Sequence, residues 1–228
     1  MANNSTAGYG CRQTMTVGNT PATGGQSEFI VQGGGSPGAT KAIFKGAPVA
    51  MQTAAGGAGV LGHIQDQTAA LMTDGIVGGN TWAHNTANTN GSLGVFNGAT
   101  FVDANGKPTW TNGLAAAQTS SVDYNTGSSN ITAFVNTNPH QEYTARADAA
   151  VVIGSFNTLT NTGFNLNDAG AGKDGQSDCT LDIANTTGTA NYMWKLVRSA
   201  NVTNQDDLTA AGADIIISYN PQSNAYLA

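Results

Sequence analysis

A chain of 228 residues with 30 glycines and only 10% charged side chains has the makeup of a turn-rich β protein with a neutral, hydrogen-bonding surface, and at this length roughly 70% of the unfolded surface can be buried. The formal net charge of −6 repels phosphate backbones and the eight Lys and Arg are spread singly, which excludes a nucleic-acid partner. No apolar run nears the roughly 20 residues needed to cross a bilayer, and Met1 to Thr6 lacks the basic and apolar regions of a signal peptide; the expectation is no membrane partner and synthesis in the cytoplasm.

Residues 1 to 10 read as a polar arm. Tyr9-Gly10 leads into a first strand over Cys11 to Val17, closed by Gly18-Asn19. Pro21 to Gln26 is loop chemistry, Phe29 to Val31 a short strand, and Gly33 to Gly38 a turn too glycine-rich for anything else. That loop feeds the strand Ala42 to Phe44 and no helix, so it does not cradle a phosphate. Phe44 to Val49 reads as strand, turn and strand, with Pro48 at an edge or a strand start. Gly59 to Ile64 resembles another β segment, and Asp66 to Met72 has the composition of one or two helical turns. Gly75 to Gly94 is a long Gly/Asn/Thr-rich stretch carrying Trp82, of the kind that often makes surface contacts.

Asn97-Gly98 between apolar Val95-Phe96 and Ala99 to Asp103 is a strong hairpin signal. Asn105-Gly106 offers a second turn before Pro108 and Trp110, and Leu114 to Gln118 a helical turn. Thr119 to Asn130 is polar and marks a boundary. Two strands, Ile131 to Val135 and Gln141 to Arg146, then bracket Pro139, whose ring biases Asn138 towards extended backbone. In the second of them Glu142, Thr144 and Arg146 share one face and Tyr143, Ala145 and Ala147 the other. Val151 to Ile153 and Phe164 to Leu166 are expected to face the core. Cys179 to Ile183 and Tyr192 to Arg198 alternate as strands, the latter with Trp194, Leu196 and Arg198 on one face and apolar groups on both. Asp206 to Gly212 suggests a short capped helix, and Asp214 to Tyr219 the final strand.

The fold class expected from this spacing is all-β: an antiparallel β-sandwich or β-barrel with long Gly/Asn/Thr-rich loops and an extended N-terminal arm. The expected organisation is an arm over residues 1-12, an N-terminal β region over 13-130 and a C-terminal β region over 131-228, the last separate from or continuous with the part before it.

No enzyme signature accompanies this pattern. His63, His84 and His140 stand at least 20 residues apart, no G-x-S-x-G or C-x-x-C occurs, and glutamate is found only at 28 and 142. A glycosidase needs two converging carboxylates; Asp103, Asp123 or Asp148 could meet Glu142, but nothing in the sequence selects a pair, and Glu142 reads as an exposed strand residue. Asp168 and Asp174 lie among glycines without the alternation or closing glutamate of a calcium loop. Cys11 and Cys179 alone cannot make a tetrahedral zinc site and are expected to be free, inert thiols. No metal, cofactor or catalytic residue is expected.

Four short elements resemble the head decoration, or capsid cement, proteins of tailed bacteriophages, of the marine or cyanobacterial phage type. They are Tyr9-Gly10-Cys11-Arg12 after a polar arm, Gly46-Ala47-Pro48-Val49, Pro139-His140-Gln141-Glu142-Tyr143, and a closing strand ending in Tyr219-Asn220 with Tyr226 just beyond. The insert from Gly75 to Asn130 departs from that pattern. The resemblance implies a noncatalytic virion protein on the outer surface of the capsid, bridging subunits of the major capsid protein and associating with itself as a homodimer or homotrimer. In that reading Tyr9, Gly10, Arg12 and Trp82 contact the capsid, and the arm from Ala2 to Arg12 lies along its surface. The alternative is a phage tail or fibre component, or an adhesin, whose Trp82, Trp110 and Tyr124 meet a host glycan.

Overall fold

The structure is a computed structural model, and it describes residues 4–18, 20–21, 25–31, 43–51, 63–66, 92–103, 105–114, 131–157, 161–165, 175–187, 194–204 and 206–220. These residues form an all-β protein. The strands are β1 (Arg12–Thr16), β2 (Thr20–Pro21), β3 (Gln26–Val31), β4 (Ile43–Phe44), β5 (Pro48–Met51), β6 (His63–Asp66), β7 (Ser92–Val102), β8 (Pro108–Thr111), β9 (Gly113–Leu114), β10 (Thr132–Asn136) and β11 (Gln141–Arg146). A single helical turn, α1 (Gly154–Asn157), precedes β12 (Asn161–Asn165), β13 (Thr180–Thr187), β14 (Trp194–Ser199) and β15 (Asp214–Tyr219). No helix among the described residues is long and apolar enough to cross a membrane.

One sheet has seven antiparallel strands in the order β13-β12-β14-β15-β11-β1-β2. Beyond the end of β11, Ala147 bridges to Leu181 of β13, and Asp148 fastens the junction: its N–H donates to the Leu181 carbonyl and its Oδ1 accepts from the Ile183 N–H. The sheet therefore curls around its own apolar face. Tyr143, Ala145, Leu181, Trp194, Leu196, Ile215, Ile217 and Tyr219 fill the inside. At its centre Trp194 stacks on Tyr219 at 4.4 Å, and Tyr143 meets both rings edge-on at 5.5 and 5.8 Å, geometries that add to plain area burial.

The second sheet runs β10-β3-β6-β5-β7-β8, and β10 also pairs with β7, so β3, β10, β7, β5 and β6 close into a ring. Every pairing in the ring is antiparallel except β3 with β6. Phe96, Ala99, Phe101, Ile131, Ala133 and Val135 pack with Ile43, Val49 and Leu114 in its core. Strands cross the expected division at residue 130. β10 completes the sheet of the earlier strands, and β1 extends the sheet of the later ones. Pro139 sits where the chain leaves one sheet for the other, not at a hairpin between β10 and β11.

Several local expectations change. Asn97-Gly98 is no hairpin: β7 passes straight through it, and the register against β10 slips, with Val135 opposite Phe96 and Phe134 opposite Gly98. Asn97 is the extra residue of a β-bulge, and Gly98 takes the positive φ of 131° it needs. The bulge switches the inward face from Phe96 to Ala99 and Phe101, while Val95 on the opposite face joins the core of the first sheet. Asn105-Gly106 is the true turn, between β7 and β8, with Asp103 Oδ1 accepting from the N–H groups of Asn105 and Lys107. Val151 is buried, but Val152 and Ile153 are 72% and 67% exposed at a loop tip. Asp206 to Gly212 forms turns instead of a helix, with Asp207 Oδ1 accepting from the N–H and hydroxyl of Thr209. Leu114 lies in β9, Ser92 to Gly94 in β7 and Asp66 in β6. The rest of the expected helical turns at 66–72 and 114–118, the Gly33–Gly38 turn, most of 75–94 and Leu166 lie outside the described residues.

Candidate functional site

The two sheets are joined where the N-terminal segment passes between them. Gly10 donates from its N–H to the Cys179 carbonyl at 3.0 Å, and Cys11 to the Gly46 carbonyl at 2.8 Å. Gly46 in turn donates to Phe96, so a strand of each sheet is tied through three consecutive backbone bonds. Gly10 and Gly46 have φ of 70° and 90°, and a Cβ on Gly10 would lie 2.5 Å from the Gly46 carbonyl oxygen; only glycine fits such a crossing. The arm ahead of it also rests on the chain's own body. Asn4 Nδ2 donates to the carbonyls of Asp207 and Ala211, and Arg146 Nη1 to the Ala7 carbonyl at 2.8 Å. Among residues 4 to 10 the Asn4 side-chain N–H, the Ala7 carbonyl and the Gly10 N–H are thus engaged by the chain's own fold, while Ser5, Thr6 and Ala7 stay exposed.

Tyr9 is buried at 6% exposure, its ring flanked by the Arg12 guanidinium at 4.0 Å and that of Arg146 at 4.8 Å. Arg146 is held from behind by Asp214, Nε to Oδ1 at 2.9 Å. Burial, and then the adjacent Asp214 carboxylate, push the Tyr9 phenol well above its ordinary range, outweighing the two guanidinium groups. Tyr9 is thus a structural plug. Of the residues expected to meet a partner, Tyr9 and Gly10 are buried, Arg12 is exposed beside them, and Trp82 lies outside the described residues.

Beside this plug a cavity of about 260 Å³ opens between the sheets. Its apolar wall comes from Cys11, Val95, Phe96 and the Tyr143 ring; Gln13, Asn97, Asn136 and Gln176 add amides, and the charged residues on its lining are Arg12 and Lys45, both cations. Lys45 is held by its backbone: its N–H donates to the carbonyls of Asn112 and Gly175, and its carbonyl accepts from Ser177. Asn136 ends β10 with 4% exposure. Its Oδ1 accepts from the Asn138 N–H at 3.1 Å, fixing the turn before Pro139, and its Nδ2 is buried without a hydrogen-bond partner. Sequence reading names Arg12 but misses Asn136, Lys45 and Gln176, since strand-end amides in a chain rich in Asn carry no distinguishing spacing.

The carboxylates that sequence reading held as candidate catalytic pairs have structural work. Glu142 is buried at 6% exposure, not exposed as expected, and Arg198 grips it at 3.1 and 2.7 Å. A register slip between Leu196 and Arg198 brings that arginine onto the Glu142 face, away from the face of Trp194 and Leu196. Asp148 and Asp103 hold backbone N–H groups, as above. His140 is exposed and the side chain of Asp182 is buried; Asp123, Tyr124, His84, Asp168 and Asp174 lie outside the described residues, as does Tyr226. Among the described residues no three of His, Cys, Asp and Glu gather as metal ligands. Cys11 and Cys179 are buried thiols that form no disulfide, and burial raises the Cys11 pKa.

A different surface feature stands on β8, which ends its sheet. Trp110 is 51% exposed there. Its ring lies 5.1 Å from that of Phe134, its Nε1 donates to Asn112 Oδ1 at 3.4 Å, and it covers Gly98. Comparison of the chain with protein-family models, with curated proteins and with solved structures finds no match.

Proposed function

We propose that this chain is a noncatalytic virion protein, a capsid decoration or cement protein that seats on the outside of an expanded icosahedral phage head and bridges subunits of the major capsid protein. The observation that carries the reading is the rigid aromatic edge at β8. A half-exposed tryptophan braced by Phe134 and Asn112, on a strand whose outer backbone edge has no neighbour among the described residues, is the kind of pre-ordered anchor on which interfaces concentrate their binding energy. Bridging contacts exist only in the assembled shell, so mass action stabilises it against internal pressure, and self-association as a dimer or trimer multiplies weak contacts. The test is co-sedimentation with expanded, DNA-free heads lacking the protein, followed by the melting temperature of the heads. Saturable binding and a raised melting temperature are expected, with Trp110→Ala weakening binding by about tenfold or more; no binding at high excess overturns the reading.

One observation favours a second reading, a tail or fibre component or adhesin for a host glycan: Trp110 pairs across β7 with Thr100, and Thr132 lies opposite Thr100 on the other side, an aromatic platform beside hydroxyls. In that case the free protein binds host cells and ignores heads.

A further inference from the structure

We infer that the first sheet is a mechanical clamp, which carries tension entering along the segment before β1 and leaving along the segment after β15. The inference goes beyond the capsid reading and does not depend on it. β1 and β15 both pair antiparallel with β11, so they run parallel to each other with β11 between them. Arg12, at the start of β1, lies opposite Thr144, whereas Ser218, near the end of β15, lies opposite Glu142. Under tension the segment before Arg12 is drawn towards the Arg146 end of β11, and the segment after Tyr219 towards the Gln141 end. The two forces are opposed and lie along the strands. Interstrand hydrogen bonds stand perpendicular to antiparallel strands, so this pull shears the ladder as a whole instead of opening one bond after another. The seam of β11 with β15 holds five consecutive pairs, from Glu142 to Arg146. The seam of β1 with β11 slips register between Gln13 and Thr16, and side chains sew it together there. Gln13 Nε2 donates to Gln141 Oε1 at 2.9 Å, Thr14 Oγ1 to the Glu142 carbonyl at 3.1 Å, and Gln141 Nε2 to the Met15 carbonyl at 2.7 Å. Gln141 is fully buried, which shields these bonds from competing water. The backbone bonds of Gly10 to Cys179 and of Cys11 to Gly46 lie on the same path of force.

Forced unfolding is governed by the unfolding barrier, and here the direction of pull selects which barrier is met. The full chain is held in an optical trap by tags at Met1 and Ala228 and pulled at a fixed loading rate, which is the shear direction. It is then pulled at the same rate from Ala228 and from a thiol introduced by Val17→Cys. Val17 is 57% exposed, and its N–H donates to the His140 carbonyl at the end of the sheet where β15 finishes. Cys11 and Cys179 are buried, so on folded protein the introduced thiol takes the handle. This second pull draws both attachment points from one end of the sheet and opens the bonds in sequence. Should Val17→Cys not fold, His140→Cys, exposed at the same end, takes its place. Rupture in the shear direction is expected to need about twofold or more the force of the unzipping direction. Gln13→Ala combined with Thr14→Val removes two of the side-chain bonds across the seam and is expected to lower the shear force. Equal forces in the two directions, or a shear force that this double substitution leaves unchanged, overturns the clamp.

Discussion

Gly98 illustrates how much a single missing Cβ decides. At φ 131° a side chain is strained, and a Cβ there would lie 2.5 Å from the Trp110 ring and 3.0 Å from the Thr111 carbonyl. Gly98→Ala is therefore expected to cost about 2 kcal/mol or more, combining backbone strain with displacement of the indole. Gly106, at φ 78° with open space around it, supplies the control, since Gly106→Ala pays only the strain, roughly 1 kcal/mol. Urea midpoints of the two variants check the difference, and the Trp110 emission should shift only in the first. Asn-Gly was legible in sequence as a special backbone site; whether it reverses the chain or bulges it depends on whether β10 is present to pair with both sides.

At the level of elements, β11 and β15 were readable because one face is apolar at strict period two, and both strands match their expected bounds closely. β14 was readable only in part. Its register slip moves Arg198 to the side of Glu142, and no periodicity in Tyr192 to Arg198 announces it, because the slip is set by pairing with β15. The pair it creates has Glu142 buried and the Arg198 side chain 45% exposed. A double-mutant cycle of Glu142→Gln and Arg198→Gln is expected to yield a coupling of about 1 kcal/mol, above a fully exposed pair and well below a fully buried one. A coupling near zero would mean that Glu142 is held by the packing of β11 and β15 alone.

For the molecule as a whole, the core of the first sheet contains ionisable groups kept neutral by burial. The pKa values of Tyr143 and Tyr219 are raised above the ordinary 10.0, and that of Cys11 above 9.0, with desolvation the first cause in each. The folded state thus holds these protons to higher pH than the unfolded chain. Their contribution is complete below about pH 9 and declines as pH rises through 10, each group adding up to about 1.4 kcal/mol of loss per pH unit until its folded pKa is passed. Denaturant midpoints should be flat from neutral pH to about 9 and then fall. Tyr219→Phe should make that fall shallower, and an unchanged slope would contradict the assignment.

The amino-acid sequence alone determined the all-β class, the strands whose faces alternate and the turn at Asn105-Gly106, because each follows from chemistry local to a few residues. The tertiary structure decided which strands share a sheet, where β7 and β14 slip register, that Tyr9 is buried between two guanidinium groups, and that Arg12, Lys45 and Asn136 line one cavity. Those outcomes depend on pairings between residues as far apart as Arg12 and Thr144 or Pro48 and Val95, and strands that are alike in composition carry no local mark of their partners.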